Sequence, residues 1–127
     1  MNDQQYLQYC RDLMASFARD LSARVDSLPA EDPLKNLAGE FLELGKNGKD
    51  LYGDGPTLIS RLFTGFPDFA PTFPRDLLWF FGGECLHFMP DEEIGTYQQL
   101  DQLRRDAGAR GEILDMRSAR ANLLKLQ

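Results

Sequence analysis

The chain has 127 residues, a formal net charge of −6 and a hydrophobic content of 43%, enough for one domain with a core and too apolar for disorder. The acidic balance argues against a nucleic-acid binder, whose affinity comes from basic charge concentrated on phosphates. No apolar run approaches the roughly 20 residues that cross a bilayer, and the N-terminus lacks the apolar stretch of a signal peptide.

The first element is a helix over residues 3–27. Tyr6, Leu7, Cys10, Met14, Phe17, Leu21, Val25 and Leu28 recur at three- and four-residue steps and form one stripe. Pro29 ends it. A second helix opens at Asp32-Pro33, with the aspartate as N-cap and the proline at the first helical position. Leu34, Leu37, Ala38, Phe41, Leu42 and Leu44 give it a buried face, and Asn47-Gly48 marks its end. Gly53-Asp54-Gly55 reads as a loop. Pro56 then starts a short third helix with Leu58, Ile59, Leu62 and Phe63 inward, stopped by Gly65 and Pro67.

Residues 56–90 are the unusual part: they hold eight of the fourteen aromatics and five of the seven prolines. Pro67, Pro71 and Pro74 each push the preceding residue out of the helical region, so residues 66–73 read as an extended Pro/Phe-rich connector. A fourth helix follows Pro74, with Leu77, Leu78, Phe81, Cys85 and Phe88 at helical spacing and Trp79 and Phe80 on the other side. Apolar nearly all round, it is expected to be central. Gly82-Gly83 either ends this helix or lets a neighbour approach it closely. Met89-Pro90 and the run Asp91-Glu92-Glu93 start a fifth helix to about Ala107, since carboxylates suit the positive end of the macrodipole. Its seam is Ile94, Tyr97, Leu100 and Leu103.

Residues 109–127 read as a C-terminal arm or docking helix, capped at Asp115. Residues 101–127 carry six Arg or Lys against four Asp or Glu, the reverse of the rest of the chain. The whole is expected to be all-α: one domain over 1–127, a bundle of five or six helices.

Few residues converge on chemistry. Glu84 and His87 have the Glu-x-x-His spacing that holds metals in di-iron bundles, but those sites use two such motifs and further glutamates, and His87 is the sole histidine. Cys85 and His87 are two residues apart, which on a helix do not face each other. Gly53-Asp54-Gly55 lacks the lysine of a phosphate loop, and Asp91-Glu92-Glu93 lacks the interleaving of a calcium loop. No cofactor, resident metal or catalytic residue is therefore expected. Cys10 and Cys85 fit no metal or redox spacing, and free thiols suit a reducing cytoplasm.

The leading expectation is a non-enzymatic cytoplasmic protein: a protein–protein interaction or regulatory adaptor, homodimeric, with no nucleic-acid or membrane partner. Phe66, Phe69, Phe73, Trp79, Phe80 and His87 are its candidate contact residues, although most of the aromatics are expected in the core. The alternative is a small-molecule binding domain, its aromatic pocket lined by Phe69, Phe73, Trp79 and Phe80. A third reading is a metal-dependent enzyme using Glu84 and His87.

Overall fold

Local chemistry sets most helix boundaries. In the computed structural model, which describes residues 3–46, 50–111 and 119, all regular structure among the described residues is helical, as expected. Five α-helices run over Asp3–Arg24 (α1), Pro33–Leu44 (α2), Leu51–Gly65 (α3), Arg75–Phe81 (α4) and Asp91–Ala109 (α5). Two short 3-10 helices cover Pro67–Phe69 and Gly83–Phe88. The chain divides into two compact units, residues 9–88 and residues 1–8 with 89–127.

In the unit of residues 9–88, α2 begins as its sequence dictates. The Asp32 carboxylate accepts the Leu34 N–H at 2.9 Å, and Pro33 has no N–H to satisfy. Lys35 serves the turn that follows α1: its ammonium donates to the carbonyls of Asp26 and Leu28, both at 3.0 Å. Such carbonyls have no helical partner of their own.

The helix α3 departs from expectation. Gly53-Asp54-Gly55 is not a loop but part of α3, which starts at Leu51 with Pro56 inside it. Asp50 caps this start by accepting the Gly53 N–H at 2.9 Å. Gly55 has a tertiary reason: a β-carbon there would overlap the ring of Phe81. The glycine that looks like a breaker is a place where a side chain of α4 lies directly against α3.

The connector at 66–73 is also more compact than extended backbone. Pro67–Phe69 form a 3-10 turn closed by Ala70 N–H to Pro67 O at 3.1 Å. Arg75 fastens it, donating to Ala70 O at 3.0 Å and to Phe88 O at 2.8 Å. The Gly82-Gly83 ambiguity resolves toward termination. Gly82 takes φ 62° and ψ −150°, Gly83 takes φ 50°, and the Gly82 N–H closes α4 on Leu78 O. Cys85 and Phe88 thus lie on the following 3-10 helix and not on α4. Nor is α4 the central element. α3 packs against α2, α4 and both 3-10 helices.

The core of this unit is aromatic. Phe41, Phe17, Phe73, Phe63 and Phe88 form a relay of edge-to-face contacts, with centroid separations of 5.6, 4.7, 5.4 and 4.6 Å in that order. Phe41, Phe63 and Phe73 are buried, Phe17 is half-buried and Phe88 is exposed. Fully burying a ring stabilises by about 1.5–3 kcal/mol, and the edge-to-face geometry adds about 0.5–1.5 kcal/mol per pair.

In the other unit, α5 follows Pro90 with Asp91, Glu92 and Glu93 in its first turn. Tyr97, Leu100, Ala107 and Thr96 are buried, and the Thr96 hydroxyl is satisfied by donating to Glu92 O at 3.2 Å. Leu103, expected in the buried seam, is 40% exposed. Arg104 lies over the Tyr6 ring, 4.7 Å from its centroid. The reading of a C-terminal helix capped at Asp115 falls outside the described residues.

Candidate functional site

On its exposed side α3 carries Thr57, Ser60 and Arg61, a spacing that places all three on one helical face. The second 3-10 helix, Gly83–Phe88, has about three residues per turn, so Glu84 and His87 stand one above the other. These two rows border a cleft of about 410 Å³. Pro56 and Phe88 also line it, and Cys85, only 3% exposed, is its buried member.

Two further depressions adjoin this cleft. One, about 510 Å³, lies between α2 and α3, where Asn36, Glu40 and Glu43 meet Asp54, Thr57 and Arg61. The other, about 430 Å³, is bordered by Pro33, Leu37, Thr64 and Phe66, again with Ser60 and Arg61. Arg61 borders all three. Its Nη2 pairs with Glu40 Oε2 at 2.7 Å, and both side chains are about half exposed. The Glu40 hydrogen bond raises the Arg61 pKa above its ordinary value, against the opposing effect of burial.

Cys85 is poorly placed as a nucleophile. Burial, then the neighbouring Glu84 charge, pushes its thiol up from the ordinary value, and the thiol form is the unreactive one. Among the described residues no group of three or more His, Cys, Asp or Glu side chains could hold a metal ion. Glu84 and His87 share a face, but among the described residues no third ligand joins them.

The contact residues expected from sequence separate. Phe73 and Phe80 are buried; Phe66, Phe69 and Trp79 are half-buried; His87 is exposed. Phe73 contacts Phe17 and Phe63, and Phe80 contacts Tyr52 and Phe81. Phe66 and His87 line depressions that meet at Arg61. Ser60 and Arg61, and Thr57 beside them, are not singled out by any motif in the sequence. Their signal was the polar i, i+3, i+4 row beside the apolar positions of α3.

A family model described as PA2817-like matches residues 2–127, nearly the full chain. The chain belongs to the PA2817-like family. No curated protein and no solved structure matches it. Membership in the PA2817-like family names no reaction, so the chemistry rests on the cleft and on the face around Arg61.

Proposed function

We propose that the protein is a non-enzymatic, self-associating adaptor or regulatory protein of the cytoplasm, and that its contact face is the surface around Arg61. The observation that carries this reading is the meeting of three adjoining depressions at one half-exposed, ion-paired arginine. Open hollows that share a border suit a segment of a partner laid across them, and arginine is favoured at the centre of protein interfaces. On the α2–α3 side Glu40, Glu43 and Asp54 outnumber Arg61, so the partner segment is basic. Residues 101–127 have that sign, with six Arg or Lys against four Asp or Glu. A second copy of the chain is therefore the first partner to consider. Two buried free thiols, Cys10 and Cys85, suit a reducing compartment.

Light scattering on the full chain tests this reading. A dimer is expected at low salt, loosening as salt screens the charges. Glu40→Lys with Glu43→Lys should give monomer, as should Arg117→Glu with Arg120→Glu. An equimolar mixture of the two double variants should restore association. A monomer at every concentration, or a dimer indifferent to both charge reversals, would overturn the proposal.

A further inference from the structure

The cleft between α3 and the second 3-10 helix has a charge pattern of its own. On the α3 side stand two hydroxyls and a guanidinium, from Thr57, Ser60 and Arg61; on the 3-10 side stand the Glu84 carboxylate and the His87 imidazole. Among the described residues the side chains of Thr57, Ser60, Glu84 and His87 make no hydrogen bond or ion pair with one another or with their neighbours. Arg61 uses one terminal nitrogen on Glu40, and a guanidinium has five N–H donors in all. Donors for an anion on one side and an acceptor for a cation on the other thus border one space, with the apolar Pro56 and Phe88 beside them. Its volume, about 410 Å³, falls among those of small-ligand sites.

We propose that this cleft binds a free apolar amino acid, with its carboxylate on Arg61 and the hydroxyls of Thr57 and Ser60, its ammonium on Glu84, and its side chain against Phe88 and Pro56. A purely anionic ligand would leave Glu84 facing like charge. A purely cationic one would meet Arg61. A zwitterion satisfies both, because unpaired charge on either side is penalised. A second copy of the chain is not required, so this proposal and the self-association proposal fail separately.

Calorimetric titration of the purified full-length protein tests it with three probes that share one ring: L-phenylalanine, 3-phenylpropionate, which lacks the amine, and 2-phenylethylamine, which lacks the carboxylate. L-phenylalanine is expected to bind at least about tenfold more tightly than either analogue, a clear step on the affinity scale. Glu84→Gln should remove that preference over 3-phenylpropionate, and Arg61→Gln should remove the preference over 2-phenylethylamine. Both positions are exposed, and an unchanged urea midpoint verifies that each variant folds. The proposal is overturned if L-phenylalanine and L-leucine give no saturable heat in the wild-type protein, if either analogue binds as tightly as the amino acid, or if both variants keep wild-type selectivity.

Discussion

Tyr9 on α1 donates its phenolic hydroxyl to the carboxylate of Asp76 on α4. Asp76 is one of the few buried polar side chains among the described residues, only 4% exposed. A charge-bearing group so placed must be hydrogen-bonded to be tolerated, so this contact ties two distant stretches of sequence through a requirement and not only through an attraction.

Tyr9→Phe should therefore destabilise the protein by about 1–3 kcal/mol, the cost of removing a partner from a buried acceptor. Urea unfolding reads this as a lower midpoint at an unchanged slope. Adding Asp76→Leu should cost less than the sum of the two single changes, because the carboxylate that lost the Tyr9 donor is then gone.

Two helical glycines should respond in opposite directions to alanine. At Gly55 the new methyl overlaps the Phe81 ring, and overpacking of this kind costs about 1–3 kcal/mol. Phe81→Leu should recover part of the loss in the Gly55→Ala background. At Gly39, in the middle of α2, a β-carbon meets nothing within 4 Å. Gly39→Ala should then stabilise by about 0.4–1 kcal/mol. Thermal unfolding of the two variants side by side checks the contrast.

Gly82 should not tolerate a side chain, for a backbone reason. At φ 62° and ψ −150° it occupies a region open to glycine alone, and no neighbour crowds the position closely. Gly82→Ala should cost about 1–3 kcal/mol as strain. A Gly82→D-Ala protein made by ligation should keep most of the stability, which separates backbone strain from steric clash.

Cys85 should stay unlabelled by Ellman's reagent at neutral pH until the protein unfolds, since burial and Glu84 both raise its pKa from the ordinary 9.0. The same shift makes stability depend on alkaline pH. Above the unfolded thiol's pKa the folded state keeps a proton that the unfolded state has lost, so stability falls as pH rises. The contribution is complete below about pH 9 and is lost through the higher folded value. The stability gap between wild type and Cys85→Ala should narrow above pH 9 in urea titrations; a gap that stays constant to high pH would contradict the assignment.

The helices that could be read from the sequence are those whose signals are local. Asp32 and Pro33 fix the start of α2 with atoms two residues apart, and the three acids after Pro90 mark the start of α5 by their charge at the positive end of its macrodipole. All-helical class and most of the apolar faces of α1 and α2 follow from spacing alone, because a buried face needs only a period; Leu7 of the α1 stripe is 40% exposed. The candidate site was legible only in pieces: His87 and Glu84 drew attention by their chemistry, whereas Thr57, Ser60 and Arg61 looked like an ordinary exposed row.

Sequence, then, determined where backbone donors and carboxylates could cap helices, and which residue types had to leave water. Tertiary packing decided the rest. Gly55 stays helical because the Phe81 ring occupies the space its side chain would need, and Phe73 is core because Phe17 and Phe63 close over it. Arg61 joins three hollows because Glu40, on another helix, holds it. Each of these depends on groups far apart along the chain, whose contact free energies no local pattern of residues encodes.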